Sequence, residues 1–497
     1  MMVTVSPLGI ILMPLGLFLF LRSRRQLFWG TVLLIPFFYT YVLDLEFTNI
    51  QPYQFFGALL ILRHAIDLSI GAGPRLFGIS KPTAALIAFL FLVYLSLFMP
   101  VVLEGSIYVI PTETPYQEFE NVEPLRFGMS NVTQTIYPTF MVLLFLCMVR
   151  EINDLRIVQR ILQVNIVTAV VVIASGIFFQ IAMIFGLRES IEALYRFVTG
   201  FPDVSRIYYG ATYNMMGPLP RMFTLSGEPG YTSAYLLVLF AVVVSLHYNV
   251  VRPGWKLKHN RIAEGLLLGG LLLAGSTTGY LGLFVMVLML FAVPRLFRLG
   301  AKGARFKSAL LMNVLLVLVL GGLVLITPIL METSFLDYVY TTHYQKLFEE
   351  GGSGFVRLAT VASGVEVFSK SPLLGVGYGS HRTGSLLTSL LSNVGVLGTS
   401  AFFLFNGLVF VRGVKVCRRS ENRELVSITF ALLVSFATLF PTMLIGMTMV
   451  AIVQGWYWLL LAMVEACYRI HLQEARVPSP SPVVSEERAA PATGVAV

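Results

Sequence analysis

Residues 425–468 read LVSITFALLVSFATLFPTMLIGMTMVAIVQGWYWLLLAMVEACY, and Glu465 is the one charged side chain in the run. A helix needs roughly 20 apolar residues to cross a bilayer, so this stretch predicts two spans, 425–446 and 448–468. The pattern recurs upstream, predicting further spans at 7–21, 27–44, 53–70, 83–103, 135–149, 161–186, 229–249, 263–276, 279–294, 309–330 and 385–411. Of 497 residues, 56% are hydrophobic and 12% charged, where soluble domains carry roughly 25% charged residues. A soluble chain this long would need that charge to cover its surface; lipid removes the need. The expected fold class is all-α: a polytopic membrane bundle of about 12–13 transmembrane helices, with a long extracytoplasmic loop carrying short amphipathic helices.

The net charge of +9 sits in short clusters between apolar runs rather than along one face, which argues against nucleic acid as partner. The clusters are Arg22/Arg24/Arg25, Arg75/Lys81, Arg150/Arg156/Arg160, Arg252/Lys256/Lys258/Arg261, Arg295/Arg298/Lys302/Arg305/Lys307 and Arg412/Lys415/Arg418/Arg419/Arg423. Threading thirteen spans in order puts all of them on one side, which the positive-inside rule makes cytoplasmic. The N-terminus then lies outside and the C-terminus inside, and the first run, Pro7 to Leu21, reads as a retained helix rather than a signal peptide. Cys147, Cys417 and Cys467 fall near cytoplasmic ends, so no external disulfide framework is expected. The single transmembrane domain spans 1–470; residues 471–497, rich in Pro, Ser, Ala and Val, are expected as a disordered cytoplasmic tail.

Three long segments are expected outside: 104–134, 187–228 and 331–384. The first is acidic, with Glu104, Glu113, Glu118, Glu120 and Glu123 against Arg126 alone; capping the bundle is its expected role. The other two carry arginines against the topological bias, and a guanidinium fork binds phosphate oxygens bidentately. Arg221 precedes Gly227-Glu228-Pro229-Gly230, where Pro229 suits a helix's first turn and the helix N-terminus itself favours an anion. Arg357 is followed by Val361, Val365 and Phe368 at helical spacing, predicting a short amphipathic helix at the interface. Pro372 and Gly375-Val376-Gly377-Tyr378-Gly379 should end it in a flexible, close-approach loop. His381 and Arg382 come next, and a histidine beside arginines has the pKa of a general base. Within the spans, Arg63, His64 and Asp67 are the main ionisable group; Arg63 and Asp67 share a helix face, as a structural pair or a transport relay.

These stretches resemble the O-antigen ligase and O-antigen polymerase superfamily of bacterial inner-membrane glycan-assembly enzymes. The likeness runs over roughly residues 160–411. It rests on RMFTLSGEPGYTSAYLL (221–237), AGSTTGYLGLFVMVLML (274–290), and GFVRLATVASGVEVFSKSPLLGVGYGS (354–380) followed by SLLTSLLSNVGVLGTSAFF (385–403). The resemblance implies that Arg221 and Arg357 bind the diphosphate of a polyprenyl carrier, with Arg382 beside them. His381 is the implied base, with Glu228 second. The donor would be a polyprenyl-diphosphate-linked glycan, the acceptor a sugar hydroxyl at the outer face, and the associated proteins a flippase and a chain-length regulator. No cofactor or metal is expected. Two departures stand out: Gly384 and Ser385 occupy the places of the family's His-Asn pair, and Thr277 and Thr278 follow Ser276 where the family has an arginine. They weaken a ligase reading more than a polymerase one. A transporter built on Arg63, His64 and Asp67, and a noncatalytic scaffold, are the readings from other classes.

Overall fold

The structure, a computed structural model, describes residues 3–45, 49–71, 80–114, 118–199, 222–248, 254–255, 259–299 and 353–476. Arg221, the expected span 309–330 and the expected tail beyond Arg476 lie outside them.

The helices are α1 (Pro7–Arg22), α2 (Arg24–Leu34), α3 (Pro52–Ser69), α4 (Lys81–Ser96), α5 (Met99–Val102), α6 (Met129–Glu151), α7 (Leu155–Ile184), α8 (Arg188–Thr199), α9 (Pro229–Tyr248), α10 (Asn260–Ala274), α11 (Thr277–Leu296), α12 (Ser353–Lys370), α13 (Leu386–Arg419), α14 (Arg423–Gly446), α15 (Val450–Val453) and α16 (Gly455–Glu474). The only sheets among the described residues join two-residue strands: β1 (Thr4–Val5), β2 (Leu43–Asp44) and β3 (Asn49–Ile50) in one, β4 (Tyr108–Val109) and β5 (Glu123–Pro124) in the other. The fold is an all-α polytopic bundle, and among the described residues seven helices are long and apolar enough to cross a membrane. Of α9's apolar window 89% is buried, against 33% for the segment from α4 through α5. A helix apolar all round belongs inside, so α9 sits at the centre, packed on α10, α11 and α14.

Every described basic cluster gathers at one end of the bundle, where arginines satisfy helix C-terminal carbonyls. Arg418 Nε donates to Phe297 O at 2.8 Å and Arg469 to Val149 O at 2.6 Å. Arg412 pairs with Glu465 and lies over the Tyr468 ring. Cys147, Cys417 and Cys467 are buried free thiols. The connections at 35–51, 104–128, 222–228, 371–385 and 447–454 lie at the other end, where the site is built.

Two apolar runs do not form single uninterrupted spans. The run 27–44 is helical only to Leu34, because Pro36 has no N–H to extend the ladder. Residues 35–45 turn back instead, and Tyr39 N donates to Leu225 O at 3.2 Å. The run 448–468 splits into α15 and α16, with Gln454 between them taking the Trp456 Nε1 hydrogen bond at 2.6 Å. The C-terminal helix runs on to Glu474, past the expected domain limit at 470.

Candidate functional site

Helix α13 is broken. Gly395 has φ 64° and ψ −170° in the middle of it, a conformation open essentially to glycine alone. The break exposes four backbone groups in mid-helix, and the loop 372–377 takes all four. Val376 N donates to Ser392 O at 2.8 Å and Gly377 N to Asn393 O at 3.1 Å; Val396 N donates to Pro372 O at 2.8 Å and Leu397 N to Leu373 O at 3.2 Å. Backbone away from water must find such partners. The run Gly375-Val376-Gly377-Tyr378-Gly379 is therefore a close-approach loop, as expected, but not a flexible one: it is buried and bonded throughout.

Asn393, just before the break, holds the chain around His381. Its Oδ1 accepts from the N–H groups of Ser380 and His381, both at 3.1 Å, and its Nδ2 donates to His381 O at 2.8 Å. From α6, Asn131 Nδ2 reaches Tyr378 O at 2.8 Å and Ser380 Oγ at 2.7 Å. His381 is thereby fixed, 2% exposed. Its Nδ1 accepts from Ile110 N at 3.1 Å, and its Nε2 has no partner among the described residues. Burial pushes its pKa from 6.5 down to about 4, with Glu366 opposing. A histidine so depressed binds its proton more readily unfolded, so its contribution to stability is complete above about pH 6.5 and declines as pH falls toward 4. The decline should reach roughly 3 kcal/mol, and His381→Gln should flatten it; unfolding midpoints measured between pH 4 and 7 check this.

Arg357 lies on α12, exposed, and donates to Gly446 O at 3.1 Å, the last carbonyl of α14. Gly446 in turn abuts Thr278 at the start of α11. Gly384 lies against the Arg357 backbone, so close that a Cβ would fall 2.9 Å from it. Ser385 caps α13, accepting from Thr388 N at 3.2 Å. Arg382 is half-buried; its N–H donates to Ile110 O at 2.9 Å and its guanidinium to Thr114 O. At the head of α9, Tyr231 feels the charges of Glu228, Arg357 and Arg382 together. Glu228 itself is exposed. The structure therefore brings Glu228, Arg357 and Arg382 into one electrostatic neighbourhood, with His381 buried beside Arg382.

No protein-family model matches this sequence, and no curated protein does.

The helix carrying Arg357 differs from expectation in its inner face. Val365 is 54% exposed, while Val356, Thr360 and Val367 are buried, and Gly364 lets α12 approach Thr383 and Thr388. Residues that the sequence did not single out are Asn393, Ile110 and Tyr231. Asn393 had a signal: a polar side chain inside an apolar helix marks structure or function.

Arg63, His64 and Asp67 lie at the opposite, basic end. Asp67 pairs with Arg24 at 2.8 Å and Arg63 at 3.2 Å, while Glu151 pairs with Arg24 at 2.6 Å and His64 at 3.2 Å. This network ties α2, α3 and α6 together. Asp67→Asn should destabilise the protein by about 1–3 kcal/mol, less than a fully buried pair because the arginines are a third exposed. The check is a lowered melting temperature with site activity per folded molecule unchanged.

Proposed function

We propose that this protein is a glycan polymerase of the inner-membrane glycan-assembly kind, acting on a polyprenyl-diphosphate-linked donor at the outer face. The observation that carries the reading is convergence. The three stretches that resemble the superfamily meet at one end of the bundle, around Arg357, Gly446, Thr278 and the Glu228–Tyr231 turn. That end lies away from the basic clusters, as an extracytoplasmic site requires under the positive-inside rule.

The acceptor hydroxyl attacks the anomeric carbon of the donor's terminal sugar. The bond from that carbon to the diphosphate oxygen breaks, and its electron pair leaves with the polyprenyl diphosphate. Arg357 and Arg382 offset the charge developing there, and Arg221 is assigned the same task from sequence. The acceptor's proton goes to the Glu228 carboxylate. Glu228 replaces His381 as the preferred base, because the His381 Nδ1 lone pair is already occupied by Ile110. The exposed apolar helix faces are compatible with a lipid tail that enters from the side.

The test is Glu228→Gln in cells and with purified protein, reading the lipid-linked glycan fraction on a gel. Removing a general base should cost about 10²- to 10⁴-fold in rate, with single repeat units accumulating on the carrier. Long polymer accumulating there instead would point to ligase-type transfer. Wild-type chain elongation by the variant would reject the base assignment, and no elongation by the wild-type protein would reject the activity.

A further inference from the structure

His381 presents a chemical contradiction if it is a base. A backbone N–H can only donate, so the 3.1 Å contact from Ile110 N means that His381 Nδ1 bears no proton. In a neutral imidazole the proton then sits on Nε2. That nitrogen is buried, and no acceptor meets it among the described residues. A buried donor left without a partner costs about 1–3 kcal/mol. Such an orphan calls for an explanation, and a bound molecule that supplies the acceptor is one.

The surroundings hold the ring in this state. Asn393 grips the main chain of His381 on both sides through its amide fork. Ile110, which fixes the tautomer, belongs to the outer segment 104–114, and its carbonyl takes the next N–H, that of Arg382. The segment expected to cap the bundle therefore sets the proton position on His381.

We propose that His381 is a donor-only catalytic residue: its Nε2–H hydrogen-bonds an oxygen of the bound diphosphate, and it takes no proton from the acceptor. Asn393 and Ile110 are positioning residues that act through it. The choice of diphosphate rests on the function proposed above; the donor assignment does not. A neutral donor here adds to Arg357 and Arg382 as the leaving group gains charge.

The experiment compares His381→Gln, His381→Ala and the wild type, purified full length. Glutamine carries an N–H donor and a carbonyl acceptor but cannot take up a proton. Glycan elongation should fall about 100-fold in the alanine variant and stay within about tenfold of wild type in the glutamine variant. Binding of polyprenyl diphosphate should weaken about tenfold or more with alanine and recover with glutamine. Equal large losses in both variants would overturn the proposal in favour of a base, and unchanged activity in both would overturn it outright. Nitrogen NMR of histidine-labelled protein, with His381→Gln identifying the signal, reads the tautomer whatever the reaction is. A protonated Nδ1 would overturn the proposal even if the protein elongates glycans. Should the wild type elongate nothing, the transfer reading fails; carrier binding lost with alanine and regained with glutamine would still uphold the donor, and equal binding by all three would not.

Discussion

Gly395→Ala is expected to leave little or no folded protein. A Cβ built there would sit 2.2 Å from Leu373 O, 2.3 Å from Leu373 C and 2.5 Å from Leu374 N. These are backbone atoms held by the hydrogen bonds of Val396 and Leu397, so nothing can swing aside. The backbone conformation itself costs an L-residue about 1–3 kcal/mol. If the substituted position relaxed to a regular helix, the four bonds between loop 372–377 and the break would be lost, stranding the groups of the buried residues Val376, Gly377, Ser392 and Asn393 at about 1–3 kcal/mol each. Either route exceeds the damage of an ordinary substitution. Gly105→Ala is the control: its φ is also positive, at 69°, but nothing lies within 4 Å of the new Cβ, so about 1 kcal/mol is expected. Yield of monodisperse protein in detergent and its melting temperature measure both. A Gly395→Ala protein with the wild-type melting temperature would mean that the break is not required for folding.

The break also shows where reading the sequence reaches its limit. Span existence is legible because lipid admits few charges, and the ends of α1, α3, α9 and α14 fall within a residue or two of their apolar runs. Apolarity alone does not report Pro36 taking the chain out of α2, since residues 35–42 are as hydrophobic as a span. The α12 stripe misleads for a related reason. In a membrane, lipid and protein both accept apolar faces, so small residues such as Gly364 mark the packed side better than valines do. For the site, the arginine and glycine stretches point to the end of the molecule opposite the basic clusters. The state of His381 is not legible: Ile110 lies 271 residues away in sequence, and no local pattern reports that partner.

Arg357→Ala is expected to lower glycan elongation at least 100-fold per folded molecule, with insertion and yield close to wild type. Its guanidinium is exposed and, among the described residues, makes one hydrogen bond, to Gly446 O, a carbonyl at a helix end that water can serve instead. Stability therefore has little to lose. A group that offsets charge on a departing diphosphate acts mainly as that charge develops, and removing one such donor costs about 10²–10³ in rate. Arg357→Lys keeps the charge without the planar fork and should fall between, about tenfold below wild type. The rival account, an arginine that only anchors α12 at the headgroups, reverses this pattern: yield would drop and activity per molecule would hold. Arg357→Cys supplies the matching test of sidedness. The native thiols Cys147, Cys417 and Cys467 are buried, so a membrane-impermeant reagent applied outside should label the new cysteine alone. Protection from outside, with labelling only after the membrane is opened, would place Arg357 where no exported glycan could meet it.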